Sequence, residues 1–191
     1  MANLIYLNEF KTYKNINNDK DDAKLGLIID SVIKFVQNYC NRTFIDYYST
    51  NKIEYFDGVY NNSVLVSEFP IVTLSTVSVT TDGGQTFTDL TEFTDFTYNK
   101  DLGEIRSLYP AFVYTTIFYD SLRVTYKGGY SRAPDDLKIA ALDLVEYYRS
   151  EEYVPRKTLG AASTERVLIP DNTARLPPHI RRILESYRQV V

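Results

Sequence analysis

Cysteine, histidine and tryptophan are scarce or missing: the 191 residues hold one cysteine, one histidine and no tryptophan. Cys40 by itself cannot form an internal disulfide, and it excludes every zinc site that takes two or more thiolates from one chain. His179 by itself excludes an HExxH helix and any site built from two or three histidines. The glycines, at 26, 58, 83, 84, 103, 128, 129 and 160, form neither a G-x-G-x-x-G nor a G-x-x-x-x-G-K-[ST] pattern. The common dinucleotide and triphosphate cradles are therefore excluded. Long apolar runs are also missing. The uncharged stretch Ser107 to Tyr119 contains Pro110 and falls short of the roughly 20 apolar residues of a membrane helix. Met1 to Tyr6 lack a basic segment followed by an apolar run and a cleavage site, so the expectation is a soluble protein made in a reducing cytoplasm.

What is present fits one globular domain, or one domain with an insertion: 44% hydrophobic residues, 24% charged residues and a formal charge of -4. A chain of this size buries about 70% of the surface its unfolded form exposes, enough to fold without disulfides or a metal.

Helical patterning opens the chain. From Ala23 to Cys40 the residues Leu25, Ile28, Ile29, Val32, Val36 and Tyr39 recur at three- and four-residue steps, which predicts an amphipathic helix. Asn18 or Asp19 is placed to cap it, and Asp21 and Asp22 put negative charge at the positive end of the helix dipole. Leu4 to Tyr13, with Leu4, Leu7 and Phe10 on one face, predicts a shorter helix against it.

Between Ser49 and Tyr130 the pattern turns β-like, rich in Val, Ile, Thr, Tyr and Phe and punctuated by Asp57-Gly58, Asp82-Gly83-Gly84 and Gly128-Gly129. Five to seven short antiparallel strands are expected. Leu122, Val124 and Tyr126 alternate cleanly with Arg123 and Thr125, as in a strand with one buried face. In Val72 to Thr80 the apolar residues change phase, and a bulge near Ser75 restores one face. Helical patterning resumes at Pro134, expected at the first helical position, with Leu137, Ala140, Ala141, Leu144, Val145 and Tyr148 as the apolar face. A last helix follows Pro177-Pro178, with Ile180, Ile183, Leu184 and Tyr187 on one side. Tyr153 to Arg175 has no period and is longer than most loops of compact domains.

Charge divides unevenly. From Arg149 onward there are eight basic residues against five acidic ones, a net of +3, whereas the remainder, 13 against 20, carries -7. The basic segment suits contact with acidic surfaces or phosphate, and equally a solvated face. Cys40 reads as a helix-end packing residue, since no base accompanies it. His179 reads as a surface residue. Asp19, Asp21 and Asp22 do not complete an EF-hand, because Asp22 and Ile28 stand where the loop needs Gly and Glu. No cofactor or metal is expected. Tyrosine is over-represented, with 17 copies beside 10 phenylalanines. Such residues suit surfaces buried on assembly, strand packing or carbohydrate-binding faces.

The order of the segments carries a resemblance. Tyr39-Cys40-Asn41-Arg42-Thr43-Phe44 ends the long helix. Glu54-Tyr55-Phe56-Asp57-Gly58, Leu65, Phe69-Pro70-Ile71, Val77 and Val79 follow. Val124-Thr125-Tyr126-Lys127-Gly128-Gly129-Tyr130 then runs into Pro134-Asp135-Asp136-Leu137-Lys138 and Ala140, and the chain closes with Leu176-Pro177-Pro178, Ile183-Leu184 and Tyr187-Arg188. In this the chain resembles the head-to-tail connector family of tailed bacteriophages, also called adaptor or head-completion proteins.

The resemblance implies an α+β fold. Residues 1–191 form a single adaptor domain, helical over 1–48 and 131–191, with a β-rich insert at 49–130. It implies a structural virion protein and no enzyme: a ring on the portal protein, matching a twelvefold symmetry, that continues the DNA channel and docks a stopper or tail-completion protein. Duplex DNA passes without specific binding, no membrane takes part, and twelve copies carry about -48 in formal charge, which favours passage over gripping. The portal and subunit interface is then expected at Arg149, Arg156, Lys157, Arg166, Arg175, Arg181, Arg182, Tyr187 and Arg188. Two other readings compete. One is a β-sandwich-like carbohydrate- or protein-binding module using the tyrosines. The other is an enzyme with paired carboxylates, for which no spacing selects a pair.

Overall fold

The computed structural model describes residues 3–57, 62–108, 119–150 and 176–189. Tyr153 to Arg175, with the cations Arg156, Lys157, Arg166 and Arg175, lies outside the described residues, as do Gly58 and Pro110. The fold is α+β, in the order α1 (Leu7–Tyr13), α2 (Asp22–Cys40), β1 (Lys52–Phe56), β2 (Ser63–Leu65), β3 (Ile71–Val79), β4 (Thr88–Asp89), β5 (Phe96–Asn99), β6 (Glu104–Ser107), β7 (Leu122–Gly128), α3 (Asp135–Arg149) and α4 (Pro178–Tyr187). Chain contacts divide it into two compact units. A helical unit comprises Asn3–Cys40 and Pro134–Arg188, and a β-rich unit comprises Asn41–Ala133 with Gln189.

In the helical unit, α3 packs against α2 and α4, and α1 against α2. The apolar period predicts the buried stripe of α2 closely: Leu25, Ile29, Val32, Ile33, Val36 and Cys40 are buried, while Ile28 and Tyr39 are half-buried at its margin. Leu137, Ala140, Ala141, Leu142, Leu144 and Val145 of α3 complete the core with Ile180 and Leu184 of α4. The helix starts differ from expectation. Tyr6 is extended, with φ -119° and ψ 154°, and its N–H donates to the Glu9 carboxylate at 2.9 Å. The first helix therefore begins at Leu7, and Leu4 reaches the core from outside it. Pro134 occupies the cap rather than the first helical position. Pro178 does open α4.

In the β-rich unit, β1-β7-β3-β4 form one antiparallel sheet and β2-β6-β5 a second. The inward-facing residues Val64, Val66, Ile71, Val77, Phe96, Ile105, Leu122, Val124 and Tyr126 make one apolar core. The phase change in β3 is resolved by irregularity. The β3–β7 register shifts between Leu74 and Thr76, leaving Ser75 as the extra residue, as the pattern predicts. A second shift between Ile71 and Thr73 makes Val72 extra. Val72 is consequently exposed despite its apolar side chain, because a bulged residue loses its place in the alternation.

Candidate functional site

The segments that carry the resemblance are far apart in sequence, and four of them meet in the β-rich unit around one buried carboxylate. Glu68 sits just before Phe69-Pro70 and its side chain is 1% exposed. Its oxygens accept hydrogen bonds from the Thr43 N–H at 2.6 Å, the Thr43 hydroxyl at 2.8 Å and the Phe44 N–H at 3.1 Å. Arg42 lies within 3.9 Å and donates to the Phe69 carbonyl. The guanidinium lies over three aromatic rings, at 3.7 Å from the Phe69 centroid, 4.9 Å from Phe44 and 5.6 Å from Tyr130. Delocalised, weakly hydrated charge makes arginine the cation suited to such stacking.

The second half of this knot belongs to β1. Lys52 pairs with Glu54 at 2.8 Å and lies 3.7 Å from Glu68. The Ser67 hydroxyl bridges them, accepting from Lys52 and donating to Glu54. The Tyr126 hydroxyl donates to Glu54 at 3.0 Å and accepts from the Glu68 N–H at 3.0 Å. Burial pushes the Glu54 carboxyl up, but the bonds from Lys52 and Ser67 outweigh it and hold the group below its ordinary value. Burial, then the Glu54 charge, push the Tyr126 phenol up. It stays a neutral donor to the carboxylate.

Glycine 128 and glycine 129 are what let the chain approach this closely. A Cβ on Gly128 would stand 2.0 Å from the Glu68 carbonyl oxygen. One on Gly129, whose φ is +89°, would stand 2.2 Å from the Phe44 carbonyl oxygen. The Tyr130 N–H donates to that same Phe44 carbonyl at 2.7 Å. A knot of this kind arranges chain segments. Its ionisable groups are engaged with one another.

The expected interface residues split several ways. Arg149 pairs with Glu146 at 2.8 Å and Arg181 with Glu185 at 2.8 Å, each within its own helix. Arg188 stacks on Tyr39 at 5.8 Å. Tyr187 donates to the Asp136 carboxylate at 2.7 Å, fastening α4 to α3. Arg182 is exposed and has no carboxylate partner among the described residues. Of the acidic cluster, Asp22 places its charge in the first turn of α2 as expected. Asn18 accepts from the Lys20 N–H in the preceding turn, while Asp19 and Asp22 both take Lys11 of α1. Cys40 is buried at the end of α2, its thiol against the Leu184 carbonyl at 3.4 Å, and His179 is exposed. Among the described residues no three His, Cys, Asp or Glu side chains gather as a metal site, and no helix is long and apolar enough to cross a membrane.

In the sequence Arg42 stands out only within the Tyr39–Phe44 pattern, and Glu68 does not stand out. The available signal was a carboxylate between Val66-Ser67 and Phe69-Pro70, an acid in an apolar setting that demands a partner.

Comparison with known proteins agrees with this architecture. Two solved structures share the fold, each with 98% of this chain and 91% of theirs aligned: a chain from the neck of an empty gene transfer agent particle (TM-score 0.57, 13% identity) and one from the virion of a native gene transfer agent particle (TM-score 0.55, 14% identity). The head completion protein of Escherichia phage T5 is 38% identical over 64 residues, a match that spans 34% of this chain and 36% of that protein. The head completion protein family model matches residues 3–190. The chain therefore belongs to the head completion protein family.

Proposed function

We propose that this protein is a passive collar: copies of it close into a ring on the portal, extend the DNA channel and dock the stopper or tail-completion protein. The whole of residues 1–191 acts as one adaptor domain in this reading, with the β-rich insert at 49–130 presented toward the next component. The observation that carries it is the family match over nearly the whole chain, joined to a site whose charges are internally spent. A group of catalytic use must be reachable by a substrate and keep capacity for a proton or a bond. Glu68 and Arg42 are buried, and Glu54 is committed to Lys52, Ser67 and Tyr126.

The portal-facing surface is assigned to the basic segment. Of its described members Arg182 has no carboxylate partner among the described residues, whereas Arg149 and Arg181 would exchange an internal carboxylate for one on the portal. The test is co-sedimentation of the full chain with purified portal. Wild type is expected to bind as a multiple matching the portal's symmetry. Arg182→Glu is expected to weaken binding and its salt dependence without changing the melting temperature. Arg182→Glu binding as wild type would remove this surface from the proposal. Tight, salt-sensitive binding of duplex DNA by the isolated protein would count against the collar itself.

A further inference from the structure

On the first sheet, the outward face of β1 and β7 carries cations with no carboxylate partner among the described residues, and an acidic aromatic knob follows the edge strand β4; the two are complementary surfaces on the same chain. Arg123, Thr125 and Lys127 of β7 point away from the core, since their neighbours Leu122, Val124 and Tyr126 are buried. Beside them on β1, in register with Thr125 and Arg123, Ile53 and Tyr55 are 54% and 49% exposed. Phe87 completes the patch, edge-on to Tyr55 at 6.3 Å and under Arg123 at 4.2 Å. Among the described residues no carboxylate pairs with Arg123 or Lys127.

The knob follows β4 at the sheet's other edge. Phe93 is 77% exposed and holds φ at +64°, a left-handed conformation that a bulky side chain adopts only when its surroundings impose it. Three hydrogen bonds impose it: Phe93 N–H to the Phe96 carbonyl at 2.7 Å, Asp95 N–H to the Thr91 carbonyl at 2.8 Å, and Thr91 N–H to the Asp95 carboxylate at 2.7 Å. A closed, strained loop that displays a phenylalanine to solvent serves no core. Glu92 beside it is exposed and has no cation partner among the described residues.

We propose that Phe93 and Glu92 of one copy dock on the Ile53, Tyr55, Arg123 and Lys127 face of a second copy, making the β-rich insert a subunit-to-subunit joint. The inference rests on the ring reading above and names its contact. Two different surfaces of one chain that meet between copies make a heterologous, head-to-tail joint, the kind that closes into rings. Charge complementarity also matters here, because copies with a formal charge of -4 each repel one another. An exposed aromatic seated against a cation and a tyrosine has the composition of an interface anchor.

The experiment measures assembly of the full chain, alone and on purified portal, by mass photometry and sedimentation velocity. Phe93→Gly removes the knob and relieves the positive φ, so its monomer is expected to melt no lower than wild type while assembly weakens roughly thirtyfold. Glu92→Lys and Lys127→Glu are each expected to weaken assembly about tenfold, and the double variant to recover it. Phe93→Cys with Ile53→Cys is expected to form disulfide-linked chains of copies. Assembly of Phe93→Gly and Lys127→Glu at wild-type strength overturns the joint while leaving the ring intact. Rings that form normally but lose the next neck protein overturn it too, by giving the surface a different occupant. A wild-type chain that assembles neither alone nor on portal sinks the ring reading first, and the joint with it.

Discussion

The helical unit and the β-rich unit hold themselves together by different means. In the helical unit the core is a continuous apolar stripe shared by α2, α3 and α4, and its polar contacts sit at the periphery: Lys11 with Asp19 and Asp22, Lys138 with Glu9, Tyr13 and Tyr187 with Asp143 and Asp136. Each peripheral contact is partly solvated and worth little alone. The β-rich unit has an apolar core as well, but it also buries Glu68 and Arg42 and needs two glycines at close backbone crossings. Spread-out packing tolerates change at many positions. A buried ionic knot concentrates the cost in a few atoms, because removing one partner strands the other.

The comparison breaks or sharpens most clearly at Gly128. Gly128→Ala forces a Cβ against the Glu68 backbone oxygen, and a loss of about 4 kcal/mol or more is expected from chemical denaturation, enough to unfold the β-rich unit. Glu68→Ala comes next: it deprives Thr43 and Phe44 of their acceptor and leaves Arg42 buried without its carboxylate, at about 3–5 kcal/mol. Residue-resolved hydrogen exchange should show protection lost first at Phe44, Glu68 and Tyr130.

Leu144→Ala in the helical core is expected to cost about 3 kcal/mol, the ordinary cavity penalty. If it proved more damaging than Glu68→Ala, the contrast between the two units would be wrong. Acid supplies a gentler probe. Glu54 is held below its ordinary 4.5, so its stabilisation is complete above that pH and is lost as the pH falls through the depressed folded value. The urea midpoint should therefore drop below about pH 4.5, and Glu54→Gln should flatten that dependence while lowering stability at neutral pH. The smallest effect is expected at Tyr187→Phe, which loses one hydrogen bond to Asp136 and about 0.5–1 kcal/mol by thermal melting.

Much of the helical unit was legible because its signal is local. The 3.6-residue period of Leu25, Ile29, Val32 and Val36 states which side of α2 is buried, whatever it packs against. Helix starts were less legible. Near the start of α2, Asp22 stands in the first turn as its charge suggested, but its pairing and that of Asp19 with Lys11 of another helix carried no local signal. In β3 the phase change announced the Ser75 bulge, but the bulge at Val72 left no mark, since both its neighbours suit a strand. The knot was least legible of all. Arg42, Glu54, Glu68 and Tyr126 come from four separated segments, and nothing local distinguishes Glu68 from a solvated glutamate.

The sequence by itself determined the alternation of helical and β segments and the family, because periodicity and segment order are properties of the chain alone. Tertiary structure decided which charges were spent and which stayed open. Glu68 and Arg42 were drawn inward, Arg149 and Arg181 were satisfied by helix neighbours, and Arg123, Lys127 and Arg182 were left without a carboxylate among the described residues. The physical reason is that a charge's role depends on its distance to its opposite and on the water around it, and a fold sets both by bringing together residues that the chain keeps far apart.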